Sequence, residues 1–515
     1  MIDELDDKIG ALMQRLVDQT SEPPDLGGFG GMTDSGGGMI VAIRPVTRVR
    51  RIGVLQLTVA AAMIVCLIGV AVLTTRGDTT RPASPPSPPA WTVATDPAGV
   101  FRAVETEPIS AAPPPAGVAP RSPNEISVTG VAETSHGLIA VGWQGTGYAT
   151  VAAVWRSTDG AHWTRVAHDP AAFGSSDPER EPAEIVGVAM WDVTEHDGTL
   201  VAVGSSGRQQ FVDGAANAGS SDPVIWTSAD SDHWQGHTLP VAAGEVGSVD
   251  RIAAGPNGLL AVGSTRSIDD TTGDSHATAW FSTDGVTWIE HSFPDASGPR
   301  YGGNDARTVV ATKGGFLVGG SDDGRAIVWS TVDGSTWAAI PLPDGITDDS
   351  VISVVSSLAS SNGTLVAVGT IFSDNMPGVG WRSDTGLIPP EGQSVTALWR
   401  STDGGLTWTR SELNAFNDRQ FQVAGPLAGG PSGFVGTVRV LSTDHYVETT
   451  IASTDGVQWS AANTTLTGPR RAIAATDTGW VAVGDDTDSM FPGPDSNERL
   501  RQPHSSSVWI APVLD

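Results

Sequence analysis

The amino-acid sequence predicts an all-β fold made of repeated four-stranded units, and two features of the chain support this prediction. A seven-residue phrase, first present as Ser157-Thr158-Asp159-Gly160-Ala161-His162-Trp163, recurs at intervals of roughly fifty residues. Each copy lies among short apolar segments separated by turn residues, which is typical of strands. Repetition at this spacing indicates a closed or stacked repeat array. The remaining copies run over 228–234, 282–288, 331–337, 401–408 and 453–459.

Each repeat contains the elements of one propeller blade. An apolar strand ends in a turn and is followed by a second strand such as residues 138–142. A third strand then ends in a tryptophan, for example Trp155, directly before the phrase. The last tryptophan of the phrase opens a short fourth strand. Four strands in meander order predict the blade of a β-propeller.

The residue types of the phrase explain why it forms a tight turn. The aspartate can accept backbone N–H bonds across the turn, the glycine supplies a positive φ, and the serine hydroxyl adds a local bond. The tryptophans are large apolar anchors for packing one blade on the next. The six aspartates are therefore predicted to be structural rather than catalytic. They are Asp159, Asp230, Asp284, Asp333, Asp403 and Asp455.

The phrase resembles the Asp-box, also called the BNR repeat. This motif occurs in sialidases, sortilin-type receptors, some glucan-cleaving enzymes and photosystem assembly factors. The resemblance covers about residues 126–515 and implies a propeller of the sialidase-like superfamily. It names a fold element and not an activity.

An incomplete seventh repeat predicts the number of blades. It starts at Arg470 and reaches Trp509, but no turn or fourth strand follows. Residues 91–95 match the missing strand, since Trp91-Thr92-Val93-Ala94 parallels residues 163–166. We therefore predict a seven-bladed propeller over residues 91–515, whose last blade takes its outer strand from residues 91–95. Such closure leaves no open edge between the first and last blades.

A membrane segment is predicted upstream of the propeller. Residues 54–73 form an apolar run with only Gln56 and Thr58 clearly polar, long enough to span a hydrocarbon core of roughly 30 Å. Four arginines between positions 44 and 51 favour a cytoplasmic N-terminus and an exported C-terminal part. We expect a bacterial single-pass protein of the cell membrane. Its parts are a cytoplasmic segment (1–52), a transmembrane helix (53–74), a Pro-rich linker (75–90) and the propeller (91–515).

The cytoplasmic segment leaves two interpretations open. Residues 2–19 predict one short amphipathic helix, and the glycine-rich stretch 27–38 predicts a disordered linker. A short acidic helix, a loose linker, an arginine cluster and one span resemble the cytosolic end of bacterial anti-sigma factors. That resemblance covers about fifty residues and implies an envelope sensor. A passive cytoplasmic stub is the other interpretation.

Composition argues against several functional classes. The chain has 58 acidic and 29 basic residues, and this net charge of −29 argues against nucleic-acid binding, because phosphate contacts need clustered positive charge. The single cysteine, Cys66, lies in the apolar run, so the folded part has no disulfide. No zinc-site spacing occurs, and the acidic turns near 269–274 and 485–488 lack the order of a calcium loop. No metal or cofactor is predicted, and a monomer is expected.

The expected functional face lies opposite the repeated phrases. Length variation falls in connections between second and third strands and between blades, and such loops are where binding surfaces are elaborated. The variable stretches are 205–222, 264–276, 371–395 and 485–506. We expect an unidentified protein or glycan ligand on this face.

A sialidase-like hydrolase is the main alternative. Its resemblance implies three arginines around a carboxylate, a tyrosine nucleophile with a glutamate partner, and an acidic proton donor. Arg251, Arg307 and Arg471 each stand near the start of an inner strand, and Tyr301 lies in a blade-to-blade connection. The Arg-x-Pro motif of that family is missing from its usual place, and salt bridges on an acidic surface are the competing interpretation of the arginines. The sequence therefore predicts a non-catalytic binding module first, a sialidase-like glycoside hydrolase second and an envelope sensor third.

Overall fold

The computed structural model describes fourteen stretches of the chain, all within one compact unit, residues 82–515. The segments 1–52, 53–74 and 75–90 lie outside the described residues. Among the residues that are described, no helix has the length and hydropathy of a membrane span. The described stretches are 92–93, 126–146, 149–174, 184–212, 215–216, 220–269, 275–294, 304–343, 351–373, 394–412, 422–442, 445–463, 470–485 and 506–512.

The strands follow one another as antiparallel meanders, after a first short strand β1 (Thr92–Val93). The first meander contains β2 (Ile126–Thr134), β3 (Gly137–Thr146), β4 (Ala149–Ser157) and β5 (Thr164–Arg165), and the helical turn α1 (Pro170–Phe173) follows it. The second contains β6 (Glu184–His196), β7 (Thr199–Val212), β8 (Ala215–Ala216), β9 (Ser220–Ser228) and β10 (Gln235–Thr238). The third contains β11 (Glu245–Gly255), β12 (Gly258–Ser267), β13 (His276–Ser282) and β14 (Ile289–Ser292).

The later part of the chain repeats the same plan. The fourth meander contains β15 (Asn304–Thr312), β16 (Gly315–Asp322), β17 (Arg325–Thr331) and β18 (Trp337–Pro341), and the fifth contains β19 (Val351–Ser361), β20 (Thr364–Ser373), β21 (Ser394–Ser401) and β22 (Thr409–Glu412). The sixth contains β23 (Gln422–Gly430), β24 (Gly433–Ser442), β25 (His445–Ser453) and β26 (Ser460–Asn463). The last contains β27 (Arg470–Thr476), β28 (Gly479–Asp485) and β29 (Ser506–Pro512), and β1 pairs with its edge.

In the described residues these strands form five four-stranded sheets and one nine-stranded sheet. The nine-stranded sheet contains the first two meanders, which a single parallel bridge between Thr150 and Gly187 joins. The all-β prediction is thus confirmed. One detail of the insertions differs from expectation, because much of stretch 205–222 is strand. There β7 and β9 continue their ladder to the pair Arg208–Ser220, so the backbone groups of this insertion are paired with each other.

Neighbouring meanders pack face to face in a closed cycle. Each buried apolar cluster of the described residues contains side chains from two successive meanders. One further cluster joins the first meander to the last, through Val128 and Trp155 on one side and Val483 and Val508 on the other. The Ser506 hydroxyl accepts the N–H of Val128 and donates to the carbonyl of Ile126, both at 3.0 Å. A closed cycle of antiparallel sheets is the arrangement of a β-propeller.

Third-strand tryptophans connect one meander to the preceding one. Trp226 donates its indole N–H to the Ala172 carbonyl at 2.7 Å, and Trp280 donates to Pro240 at 2.7 Å. Trp329 and Trp399 make the same bond to Pro294 and Pro343. All four rings are fully buried, so the polar N–H must find an acceptor. Truncating such a ring to alanine costs about 3–5 kcal/mol.

The six copies of the phrase form what we call the repeat turns. In the first, Asp159 Oδ1 accepts the N–H groups of Ala161 (2.9 Å) and His162 (2.8 Å), and Ser157 Oγ accepts that of Gly160 (2.9 Å). The Trp163 indole donates to the Gly160 carbonyl at 2.8 Å. At Gly334, the fourth residue of its repeat turn, two features require glycine. Its φ is +72°, and a Cβ there would lie 2.4 Å from Phe281 of the preceding meander.

The outer strand of the last meander comes from the N-terminal side of the propeller. Thr92 pairs with Ile510 and Val93 pairs with Trp509. The first meander has the same register, in which Thr164 pairs with Arg156 and Arg165 pairs with Trp155. β1 therefore occupies the place of a fourth strand on β29.

Removing β1 is expected to destabilise the propeller. A chain of residues 126–515 leaves the N–H and C=O groups of β29 unpaired at an open edge, and its melting temperature should lie below that of residues 91–515. Calorimetry on both chains measures the difference. Equal melting temperatures would contradict the role of β1 in closure.

The repeat turns give a second prediction, at acidic pH. Backbone N–H bonds, chiefly from Thr287 and then from Val286, lower the pKa of Asp284 to about 2. An ionised carboxylate with a lowered pKa stabilises the fold above its unfolded pKa of roughly 3.9, and this contribution is lost as the pH falls toward 2.

Asp284→Ala should therefore melt about 2 °C below the parent at pH 6, and the gap should close between pH 4 and pH 2. Asp269→Ala is the matched control, because Asp269 is an exposed aspartate outside the repeat turns. A pH-independent gap for Asp284→Ala would disprove the assignment.

Candidate functional site

The first strands of the meanders form the innermost layer of the propeller. Each first strand packs on the first strand of the next meander, in the order β2, β6, β11, β15, β19, β23 and β27, and β27 packs on β2. Side chains of this layer border the central axis, where propellers have their channel. A site that collects groups from several meanders is therefore to be sought on these strands.

Every one of these described first strands carries a β-bulge at the same level. The bulge lies at a fixed distance from the strand end, as with Thr129 in a strand ending at Thr134 and Arg471 in one ending at Thr476. A bulge inserts an unpaired residue and re-aims its side chain. We call the residues at and directly after these bulges the axial ring. They are Thr129, Gly130, Trp191, Asp192, Asp250, Arg251, Arg307, Thr308, Ser356, Ser357, Gly425, Pro426, Leu427, Arg471 and Ala472.

Polar side chains of the axial ring bind backbone groups of the neighbouring strand. Asp192 Oδ2 accepts the Ile252 N–H at 3.1 Å, and Thr308 Oγ1 accepts the Leu358 N–H at 3.2 Å. Ser357 Oγ accepts the Leu427 N–H at 3.1 Å in the same way. In each bond the acceptor side chain directly follows a bulge, and the N–H donor lies in the next meander. These three side chains therefore serve the scaffold.

The three candidate arginines all belong to the axial ring. Arg307 and Arg471 occupy bulges, and Arg251 directly follows one. The expectation that each lies near a strand start is wrong for Arg251, which lies in the middle of β11, because that strand already begins at Glu245. Arg251 and Arg307 are on neighbouring first strands, whereas Arg471 lies on β27, which packs on β23 and β2. Tyr301 lies outside the described residues.

Acidic and carbonyl groups engage two of these arginines. Arg307 Nε donates to Asp305 Oδ2 at 2.5 Å on the same strand. Arg251 Nη1 donates to the Asp250 carbonyl at 2.8 Å, and its charge also acts on the Asp192 carboxylate. Arg307 and Arg251 are thus each engaged by an acidic or carbonyl group of their own or a neighbouring strand.

Asp192 is an acid of the axial ring with a raised pKa, and the sequence analysis missed it. Burial raises its pKa, against the opposing effects of Arg251 and of the N–H groups of Ile252 and Val193. Trp191 stands beside it at the bulge, partly exposed, with its indole 3.4 Å from Ser205 Oγ. Aligning the repeats on their second strands would have found both residues, because Trp191 and Asp192 precede Leu200 by the same intervals as Asp250 and Arg251 precede Leu259.

The six repeat-turn aspartates lie away from the axial ring. Each carboxylate accepts backbone N–H groups of its own turn, as Asp455 does from Val457 (2.8 Å) and Gln458 (2.9 Å). These turns connect third to fourth strands, at the strand ends opposite the insertions. Among the residues that the structure describes, no group of three or more His, Cys, Asp or Glu side chains is placed to hold a metal ion.

Comparisons with known proteins give resemblance at the level of solved structures alone. No protein-family model matches the sequence, and no curated protein matches it. The phage phi92 endosialidase aligns at 10% identity and a TM-score of 0.39, over 77% of this chain and 68% of its own. A Penicillium chrysogenum alpha-L-arabinanase aligns at 13% identity and 0.37, over 77% and 98%. An ulvan lyase aligns at 12% identity and 0.39, over 84% and 96%. With TM-scores below 0.5, none of these likenesses bears on the site.

Asp192 gives a prediction in which stability depends on pH. Asp192→Ala should cost about 2 kcal/mol, because two backbone N–H groups lose their acceptor and Arg251 loses a nearby negative charge. Since the folded-state pKa is raised, the folded protein binds the proton more tightly than the unfolded chain. The contribution of Asp192 is then largest below about pH 4 and declines as the pH rises.

Melting temperatures of the parent and Asp192→Ala at pH 4 and pH 7 test this linkage. We expect a wider gap at pH 4, and no such change for the control Asp269→Ala, which alters an exposed aspartate outside the axial ring. A difference in melting temperature that widens toward pH 7 would show that the pKa of Asp192 is lowered on folding, and would refute the burial argument.

Proposed function

We propose that residues 91–515 are a seven-bladed propeller of the Asp-box type that binds a protein or glycan without catalysis. A transmembrane helix at 53–74 holds it outside the cell, with residues 1–52 in the cytoplasm. Seven first strands in one closed order and the pairing of β1 with β29 support the blade count. The hydrogen bonds of the repeat turns support the Asp-box assignment.

The observation that carries the non-catalytic proposal is that two arginines of the axial ring, Arg251 and Arg307, are already engaged by acidic or carbonyl groups of this chain. A site that captures a substrate carboxylate needs guanidinium groups whose donors face the ligand. Arg307 instead donates to Asp305, and Arg251 lies between the Asp250 carbonyl and Asp192. Each of these bonds uses one N–H of its guanidinium, and the carboxylates of Asp305 and Asp192 act against the binding of a ligand carboxylate.

The same ring has the groups that a binding site needs. Trp191 offers a partly exposed aromatic side chain at the bulge of β6, and Asp250 and Arg251 lie at the bulge of the neighbouring strand β11. A flat apolar surface beside a few convergent hydrogen-bonding groups suits a sugar ring or an extended peptide. The connections between second and third strands and between meanders leave the strand ends opposite the repeat turns, and we call this end of the propeller the insertion face. Their length variation supports ligand selection at this end.

A sialidase-like glycoside hydrolase is the rival function. One observation favours it, which is that Arg251, Arg307 and Arg471 share one level of the propeller. Its tyrosine, Tyr301, stays a sequence prediction. The rival requires all three guanidinium groups to reach one carboxylate, whereas Arg471 is on a strand that packs on β23 and β2.

A turnover assay and a binding assay on the same protein separate the two functions. Residues 91–515 would be incubated with a fluorogenic sialoside and applied to a glycan and peptide array, together with Arg307→Ala, Trp191→Ala and the exposed control Lys313→Ala. We expect no sialoside turnover, and array binding that Trp191→Ala weakens about tenfold, as loss of an aromatic contact does. Turnover that Arg307→Ala abolishes and Lys313→Ala preserves would defeat the binding proposal.

A further inference from the structure

Exposed aliphatic side chains collect on one side of the repeat-turn face. Val286 is 81% exposed, Leu406 71%, Val332 60% and Val457 46%. All four lie within repeat turns, in the third, fourth, fifth and sixth meanders, which are neighbours in the cycle. We call these four residues the aliphatic arc. Four exposed aliphatic side chains on successive repeat turns of one face form a candidate contact surface, since such side chains are more often scattered singly.

The repeat turns of the first two meanders carry a smaller or a charged residue at the corresponding tips. Ala161 and Asp232 stand where Val286 and Val457 stand in their turns. The side chains around them pair with one another, as Arg156 does with Asp232 and His233 with Asp230, both at 2.7 Å. The face is therefore divided into a polar side and an aliphatic side.

The chain enters the propeller at this same face. In the first meander β5 directly follows a repeat turn, so its first residue, Thr164, lies at the repeat-turn end of the sheet. Thr92 has the equivalent position in the last meander, because it pairs with Ile510 as Thr164 pairs with Arg156. Everything upstream of residue 92 consequently leaves from the repeat-turn face.

We propose that the aliphatic arc docks on the zwitterionic lipid surface of the membrane that anchors the chain. This inference rests on the proposed transmembrane helix at 53–74. Residues 74–91 then join the helix to β1 and reach roughly 60 Å when fully extended. A tether of this length keeps the face at a local concentration in the millimolar range, so even a weak apolar contact is populated.

The charges beside the arc determine which lipids fit. Asp284 and Asp333 accept backbone N–H bonds in the same turns, and Asp403 accepts the hydroxyl and then the N–H of Thr407. These bonds hold the pKa values of the three carboxyls below the ordinary range. The carboxylates are thus ionised at neutral pH. They attract the ammonium groups of zwitterionic headgroups and repel anionic lipids. Docking in this orientation turns the insertion face away from the bilayer. A ligand outside the cell can then reach that face.

Site-specific quenching by lipid tests the docking in the full chain. Cys66→Ser removes the one native cysteine, and a single cysteine at position 286 or 406 then carries an environment-sensitive fluorophore. Ala161→Cys is the matched control, because it has the same turn position on the polar side. The proteins are reconstituted in phosphatidylcholine vesicles that contain a lipid spin-labelled near the headgroup.

We expect about twofold stronger quenching at positions 286 and 406 than at 161, and a decline when phosphatidylglycerol replaces part of the phosphatidylcholine. Equal quenching at the three positions would overturn the docking while leaving the anchor and the binding function intact. A chain that fails to float with vesicles in a density gradient would overturn the anchor and the docking together. Ligand binding by soluble residues 91–515 is independent of both outcomes.

Discussion

Closure of the cycle is the constraint on which the rest of the structure depends. Each meander has an apolar surface on two sides, and a meander at an end of an open array would leave one of them in water. Here the first and last meanders cover each other, with Trp155 of the first in the same cluster as Val483 and Val508 of the last. Ser506 adds two hydrogen bonds across this junction.

The last meander also contains the most deeply buried ion pair of the described residues. Arg470 is 1% exposed and pairs with Glu448 of the sixth meander, while its guanidinium lies 4.9 Å from the centre of the Trp509 ring. Desolvating both charges is costly, so the pair adds little net stability over an apolar contact. Removing either partner would leave the other charge buried, however, at about 3–5 kcal/mol. The pair therefore favours one register between the last two meanders over any alternative.

The sequence predicted the turns better than it predicted the site, and the reason is physical. A repeat turn is local, since Asp159 bonds only to residues within three positions of itself, so its residue types alone specify it. A bulge depends on pairing with another strand, and no residue type in β6 or β11 specifies where it falls. Arg251 was therefore placed near a strand start, and Asp192 was not identified as its partner. The short pairing of Thr92 and Val93 was predictable because it copies the pattern around Trp163.

Different interactions specify the two ends of the propeller. Fixed hydrogen bonds specify the repeat turns, so substitution there is confined to the exposed tips, such as Val286 and Leu406. The insertion face has no such restriction, because its connections begin where the strand ladders end. The chain also enters the propeller at the repeat-turn face, through Thr92, so the membrane anchor that we propose upstream of it would hold this face toward the bilayer. The insertion face would then be the end that a ligand outside the cell can reach, which fits the proposed binding module.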